Sequence, residues 1–367
     1  MEEKMEKAIL VLVKLPKQRA DEFQNYQAEL EGLAEAAGAI VTMVMIQARA
    51  RIQGATYLGK GKLEELKGVI EETEPDLVIF DRELSPVQMR NLEKMLEIKI
   101  IDRTGLILDI FSQRARSHEG KLQVELASLE YRLPRLTGKG KEMSRLGAGI
   151  GTRGAGEQKL ELDRRYIRSR IVDIKKQIEK IRKMRSLHRK QRERSGIKTV
   201  SLVGYTNAGK SSLFNALCNR GHTSGQEQVE ADSRLFQTLD TTTRRIRWLD
   251  GQEILITDTV GFIQDMPANL ANAFKATFEE TLEADLILHI ADIADIDYME
   301  KMETVAGVLQ ELGADKTDTL LVFNKIDLLP DKPAGNGNIY VSALTGEGLD
   351  KLMDRISQYL NAGEQEG

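Results

Sequence analysis

Four residues of one octapeptide have the types and the spacing of a phosphate-binding loop. The sequence GYTNAGKS fits G-x-x-x-x-G-K-[ST], follows the apolar run TVSLV and precedes the helical pattern SSLFNALC. Its glycines let several backbone N–H groups point at phosphate oxygens, and the following helix N-terminus adds partial positive charge. We expect Lys210 to reach the β- and γ-phosphates and Ser211 to ligate Mg²⁺. The predicted nucleotide contacts here are Gly204, Tyr205, Thr206, Asn207, Ala208, Gly209, Lys210, Ser211 and Ser212.

A second motif, DTVG, supplies a carboxylate and a backbone donor for the same phosphates. We expect Asp258 to hold the magnesium through water and the Gly261 N–H to meet the γ-phosphate. A polar, threonine-rich segment between the two motifs is the candidate first switch, in which Thr238 completes the magnesium shell and Thr242 is the alternative. The predicted nucleotide contacts of these two segments are Phe236, Gln237, Thr238, Leu239, Asp240, Asp258, Thr259, Val260 and Gly261.

A third motif, NKID, follows the apolar run TLLVF and distinguishes guanine from adenine. A carboxylate at Asp327 can accept hydrogen bonds from guanine N1–H and the N2 amine, whereas adenine offers no such pair of donors. Lys325 is expected to lay its stem along the base. The predicted base contacts are Asn324, Lys325, Ile326, Asp327 and, through backbone N–H groups near guanine O6, Ser342, Ala343 and Leu344. The motifs occur in order, each at the end of a predicted strand, and so predict binding of GTP and GDP.

The residue after DTVG raises the question of how the attacking water is ordered. Many such enzymes place glutamine there, but this chain has Phe262, which cannot hydrogen-bond to water. Either a partner completes the site, as an arginine finger does, or Asn207 coordinates a monovalent cation such as K⁺ beside the phosphates. We therefore expect slow intrinsic GTP hydrolysis that a partner stimulates. The predicted catalytic residues are Lys210, Thr238, Gly261 and Asn207.

The elements that position these motifs divide the chain into three predicted domains. Strand and helix patterns alternate over 1–111, which predicts an α/β domain with a parallel sheet. Residues 112–196 carry two heptad-like apolar stripes joined by a loop, which predicts a helical hairpin of coiled-coil type. Alternation returns over 197–367, the predicted P-loop GTPase domain. The predicted fold class is therefore α/β with a helical hairpin between two α/β domains.

Composition excludes several other classes of protein. The chain has 367 residues, too many for one typical core, and its 41% hydrophobic and 30% charged content is that of a soluble globular protein. The single cysteine, Cys218, permits no internal disulfide, and the histidines and cysteine indicate no zinc site. The sequence shows neither a signal peptide nor an apolar run long enough to span a membrane. We expect a cytoplasmic monomer that does not bind DNA and associates with membranes weakly if at all.

A glycine-rich basic loop joins the two predicted helices of the hairpin. It contains G-x-G-x-x-G at Gly149, Gly151 and Gly154, a dinucleotide fingerprint, but no strand precedes it, so we do not expect a nucleotide there. A GKGK sequence at 59–62 is an equally weak candidate for a second nucleotide site. The long loop is instead typical of a functional segment, although a flexible linker is the alternative.

Several stretches resemble the HflX family of ribosome-associated GTPases. They include TYLGKGKLEEL, LSPVQMRNLE, GIGTRGAGEQKLELDRRYIRSRI and GYTNAGKSSLFNAL, and together they cover nearly the whole chain. Two family prolines are replaced, by Ala155 and Thr241. The resemblance implies binding to ribosomal RNA of the large ribosomal subunit and splitting or rescue of stalled ribosomes, often under heat stress. The alternative is a signalling switch that recruits a protein effector through the hairpin without RNA. The predicted RNA contacts are Arg114, Arg116, Lys121, Lys139, Lys141, Arg145 and Arg153.

Overall fold

The computed structural model describes residues 5–16, 18–136, 155–223, 241–248, 251, 253–263, 284–314, 317–331 and 337–362. For 155–158, 188–195, 222–223 and 362 it describes the backbone alone. The chain forms two compact units. The first lies within 1–113 and 121–178, and the second within 114–120 and 179–367.

A four-stranded parallel sheet forms the centre of the first unit. Its strands are β1 (Glu6–Lys14), β2 (Ala39–Ala48), β3 (Leu77–Phe80) and β4 (Lys99–Asp102), in the order β2-β1-β3-β4. All three pairings are parallel, which confirms the sheet predicted from the alternation of strands and helices. Strand β3 is buried along its whole length, as a parallel strand covered on both faces must be.

Four helices connect or follow these strands. They are α1 (Ala20–Ala36), α2 (Lys60–Thr73), α3 (Pro86–Leu96) and α4 (Arg103–Arg114). Helix α3 begins where the sequence requires, because the Ser85 side chain accepts from Gln88 N–H and the next residue is a proline.

Two acidic groups are buried at the carboxyl edge of this sheet. Asp81, directly after β3, accepts a 2.6 Å hydrogen bond from Tyr57 Oη, and burial raises the pKa of its carboxyl to about 6. Asp102, the last residue of β4, accepts from Tyr131 Oη at 2.7 Å and from Arg135 at 3.0 Å. Tyr131 and Arg135 belong to the helix His118–Arg135, whose C-terminal end is thereby fixed to the sheet.

The helical region consists of α5 (His118–Arg135) and α6 (Ala155–Ser195). Within the first unit the two helices lie side by side, since Arg170 donates two hydrogen bonds to Glu125, at 2.6 and 2.7 Å, and Lys175 Nζ lies 2.8 Å from Glu130. The predicted apolar stripes supply the buried contact faces of these helices, with Leu122, Leu126, Ile167 and Ile174 buried. The basic loop between the helices, with Lys139, Lys141, Arg145 and Arg153, lies outside the described residues.

The second unit is built on a seven-stranded sheet in the order β11-β10-β9-β5-β8-β7-β6. The pairings of β6 with β7 and of β7 with β8 are antiparallel, and the others are parallel. The strands are β5 (Lys198–Gly204), β6 (His222–Thr223), β7 (Thr242–Arg247), β8 (Glu253–Asp258), β9 (Leu286–Asp292), β10 (Thr319–Asn324) and β11 (Ile339–Tyr340).

The helices of the second unit include α7 (Lys210–Arg220), α8 (Tyr298–Leu312) and α9 (Leu349–Ala362), with a short 3₁₀ turn at Ile326–Leu328. Cys218 lies buried on α7, where burial raises the pKa of its thiol to about 11. No helix in the described part of the chain is long and apolar enough to cross a membrane.

Candidate nucleotide-binding site

The predicted motifs meet because three parallel strands end at the same edge of the second sheet. Gly204 ends β5, Asp258 ends β8 and Asn324 ends β10. Ligands of open α/β sheets bind in the crevice beyond these carboxyl ends. At Gly204 an added Cβ would lie 2.3 Å from Ile290 O. Strands β5 and β9 therefore lie too close together at this point for Gly204 to be replaced by a residue with a side chain.

The loop after β5 is held against the segment that follows β8. Thr206 N–H donates to Phe262 O at 2.8 Å, and Phe262 N–H donates to Gly204 O at 3.1 Å. Asn207 and Gly209 have positive φ angles of 61° and 86°, the backbone curl that the glycine-rich sequence predicts. The phosphate-binding loop and the DTVG motif therefore form one connected structure.

Lys210 lies at the centre of this loop. Its side chain is buried, and its Nζ donates to Tyr205 O at 2.8 Å and to Gly204 O at 3.1 Å. Burial lowers the pKa of Lys210 to about 8, and the negative charge of Asp258 opposes that shift. A cation that is costly to keep buried without a counter-ion is suited to receive an anionic ligand.

Two oxygen atoms of the kind that bind divalent cations lie within hydrogen-bond distance of each other. Ser211 Oγ donates to Asp258 Oδ2 at 2.7 Å, and Asp258 is fully buried. Hydroxyl and carboxylate oxygens are the hard ligands that Mg²⁺ prefers, so the donor set fits that ion. Thr238, and with it residues 236–240 of the predicted switch, lies outside the described residues. The alternative, Thr242, lies in β7 directly opposite Asp258.

At Gly261 any residue with a side chain would have to displace the neighbouring atoms of Thr206 and Lys210. A Cβ there would lie 2.8 Å from Thr206 Cγ2 and 2.9 Å from Lys210 Nζ. The next side chain, Phe262, is fully buried, as its apolar ring predicts, and so is Thr259, whose hydroxyl donates to Leu202 O at 2.6 Å. The DTVG backbone is therefore packed directly against the ammonium group.

Asn324 joins the phosphate-binding loop to the last loop of the site, a role that the sequence did not reveal. Its Nδ2 donates to Ala208 O at 3.0 Å, and its Oδ1 accepts from Ala343 N–H at 3.0 Å. The second bond occupies one of the N–H groups expected near guanine O6. Ser342 is buried and its Oγ accepts from Thr345 N–H at 3.0 Å, whereas Leu344 is 84% exposed.

The rest of the NKID motif lies at the rim. Lys325 has a positive φ of 66°, and its Nζ lies 2.7 Å from Oδ2 of Asp292, the last residue of β9. Ile326 is buried and Asp327 is exposed, so the predicted guanine-reading carboxylate can meet a ligand from solution. Sequence reasoning missed Asp292, although its place at a strand end beside Asn324 was the available signal.

Two further features adjoin the predicted site. His289 is buried on β9, and burial together with the nearby charge of Lys210 lowers the pKa of its imidazole to about 4, so it is neutral at pH 7. A cavity of about 370 Å³ lies beside the predicted base contacts, between α7 and the last loop. Its lining includes Ser212, Asn215, Ala343 and Leu344.

The cations predicted to contact RNA differ in their surroundings. Arg116 and Lys121 are exposed, whereas Arg114 is half-buried and its Nε is enclosed by protein. On α6, Arg165, Arg168 and Lys176 are exposed and form no ion pair with the described residues.

Comparisons with known proteins cover the chain from its first unit to the guanine motif. Family models described as GTP-binding GTPase N-terminal, GTP-binding GTPase Middle Region and 50S ribosome-binding GTPase match residues 24–112, 114–192 and 199–325. The GTPase HflX of Caldanaerobacter subterraneus subsp. tengcongensis is 50% identical over 97% of this chain and 81% of its own. The GTPase HflX of Escherichia coli K12 is 44% identical over 91% and 78%. The solved complex of SsGBP with GDP shares the fold, with a TM-score of 0.51 and 24% identity over 98% of this chain and 99% of that one.

Proposed function

The chain belongs to the HflX family of GTPases and is a GTP hydrolase, and from this premise we propose that it binds the large ribosomal subunit and splits or rescues stalled ribosomes. The observation that carries the proposal is the match of residues 199–325 to the 50S ribosome-binding GTPase model. That range includes the phosphate-binding loop, DTVG and the first two residues of NKID, so the matched segment is the one that would respond to the nucleotide.

Uncompensated positive charge on the helical region supports a polyanionic partner. Arg170 and Lys175 of α6 are neutralised by glutamates of α5, but Arg165, Arg168 and Lys176 have no such partner among the described residues. Ribosomal RNA is bound largely through phosphate contacts by such exposed cations. The predicted loop contacts Lys139, Lys141, Arg145 and Arg153 would add further positive charge for the same partner.

The nucleotide would control this binding through the DTVG segment. GTP with Mg²⁺, held by Ser211, by Asp258 and by Thr238 of the first switch, would order both the first switch and the DTVG segment, and hydrolysis would release them. Asn207, already in a positive-φ conformation at the loop, would bring K⁺ beside the phosphates. Because Phe262 is buried and apolar, the ribosome would supply what the isolated site lacks, and hydrolysis would be slow without it.

The test is the rate of GTP hydrolysis with and without purified large subunits, in potassium and in sodium buffers. We expect large subunits to raise the rate by about a hundredfold or more, since completion of a phosphoryl-transfer site by a partner gives at least that. Small subunits serve as the control. Equal rates with and without large subunits would contradict the proposal and favour the signalling switch.

Cosedimentation separates RNA binding from recruitment of a protein effector. Binding to large subunits should weaken steeply with salt, and replacement of Arg165, Arg168 and Lys176 by serine should flatten that dependence. The matched control is Lys351→Ser, which removes one exposed cation from α9 in the second unit. If the amount of protein that cosediments changes neither with salt nor with these substitutions, the result favours a protein effector instead.

A further inference from the structure

One hydroxyl in the phosphate-binding loop, that of Thr206, takes part in none of the hydrogen bonds described above. Thr206 is only 6% exposed, and its Oγ1 is excluded from solvent without a hydrogen-bond partner in the described part of the chain. The neighbouring polar side chains are engaged, since Ser211 donates to Asp258 and Lys210 donates to two carbonyl oxygens. A buried hydroxyl left unpaired is unfavourable, so such a group in a binding site indicates a partner that arrives with the ligand.

Contacts with Phe262 and Gly261 fix the position of Thr206. Its N–H donates to Phe262 O at 2.8 Å, which ties its backbone to the segment after DTVG. Its methyl group, Cγ2, lies 2.8 Å from where a Cβ of Gly261 would be, and Lys210 Nζ lies 2.9 Å from the same point. The methyl group of Thr206 and Lys210 Nζ therefore lie close to the same point beside Gly261, whose N–H is expected to meet the γ-phosphate.

We propose that the Thr206 hydroxyl is a catalytic residue of the slow GTP hydrolysis by the isolated protein, in which it orients the attacking water that Phe262 cannot, before the ribosome accelerates the reaction. A hydroxyl can donate one hydrogen bond and accept others at the same time. Thr206 Oγ1 donates to a γ-phosphate oxygen and accepts from the water. The water oxygen forms the new bond to the γ-phosphorus while the bond to the bridging β–γ oxygen breaks. GDP leaves with that electron pair, and the water proton passes to a γ-phosphate oxygen, so the threonine is unchanged.

Two substitutions separate the hydroxyl from the methyl group. Thr206→Val keeps a branched side chain of nearly the same size and removes the hydroxyl, whereas Thr206→Ser keeps the hydroxyl and removes the methyl group. The measurement is single-turnover GTP hydrolysis by the isolated protein at saturating enzyme, together with the affinities for GDP and GTP. We expect Thr206→Val to slow hydrolysis by about 100- to 1,000-fold, the range found when one positioned hydrogen-bonding group is removed from a reacting centre.

The controls distinguish catalysis from packing. GDP has no γ-phosphate, so its affinity should change less than about threefold in Thr206→Val, and Thr206→Ser should recover most of the lost rate. The melting temperature of nucleotide-free Thr206→Val should equal or exceed that of the wild type, because an unpaired buried hydroxyl has been removed.

Three outcomes overturn the inference. Thr206→Val could hydrolyse GTP at the wild-type rate, Thr206→Ser could be as slow as Thr206→Val, or the loss could appear equally in the affinity for GDP. The inference rests on the predicted position of the phosphates, which Lys210→Ala tests separately. If that variant binds GDP normally, the placement of the nucleotide is wrong, whatever the behaviour of Thr206.

Discussion

Binding of GDP should transfer a proton from solvent to Lys210 when the pH lies above 8. The free protein holds this ammonium group in a buried position, which lowers its pKa to about 8. The diphosphate would bring negative charge beside Nζ and raise that pKa again. The complex then binds more protons than the free protein, and affinity must fall as the pH rises through 8.

The magnitude follows from the pKa of about 8. Proton uptake should be about 0.1 per GDP at pH 7, about 0.5 at pH 8 and about 0.9 at pH 9, if the complex keeps Lys210 charged throughout. The dissociation constant should rise by up to about tenfold per pH unit above 8 for the same reason.

Isothermal titration calorimetry at each pH, in buffers of different ionisation enthalpy, measures the number of protons directly. GDP is suitable because its terminal phosphate, whose second pKa is about 6, is almost fully ionised at the two higher pH values, where the expected uptake is large. Lys210→Met provides the control, with weaker binding and no uptake at pH 9. Uptake near zero at pH 9 in the wild type, or equal uptake in the variant, would refute the argument.

Three other substitutions test the packing described above. Gly261→Ala should slow single-turnover GTP hydrolysis by about tenfold or more, because the new methyl group would lie 2.9 Å from Lys210 Nζ and overpacking of this kind costs about 1–3 kcal/mol. Asn324→Ala removes both hydrogen bonds between the loops and should lower the stability of the second unit by about 2–4 kcal/mol, measured by urea unfolding with Trp248 fluorescence. Burial holds the pKa of Asp81 near 6 in the folded state, above its unfolded value, so stability should fall by up to about 3 kcal/mol as pH rises from 4 to 6. Asp81→Asn should flatten that dependence in unfolding followed by circular dichroism, and an unchanged slope would contradict the assignment.

The elements were predictable because local patterns determine them. Alternating strands and helices gave the parallel sheet of the first unit, and Gly204, Asp258 and Asn324 each end a strand as their motifs require. Parallel strands bring their carboxyl ends to one edge, so motifs far apart in sequence were expected to meet. No comparable local rule identified the partner of a single buried side chain.

Long-range pairs were therefore missed. Asp81 pairs with Tyr57, a residue 24 positions away, and neither belongs to a recognisable motif. The ion pairs between the two helices of the helical region were also not predicted, since Arg170 is neutralised by Glu125, 45 positions earlier. A count of charges along the chain cannot reveal such pairing, which depends on how the two helices lie together.

The reactivity of the single cysteine can be used to measure how often the second unit opens. Cys218 sits inside the helix that follows the phosphate-binding loop, and with a thiol pKa of about 11 it carries almost no thiolate at neutral pH. A chromogenic disulfide reagent can react with the Cys218 thiol only when α7 becomes exposed. The rate of that reaction therefore reports how often the unit opens. A ligand that stabilises the folded second unit should slow the reaction of the thiol. The rate can therefore be used to follow how much of the protein has ligand bound.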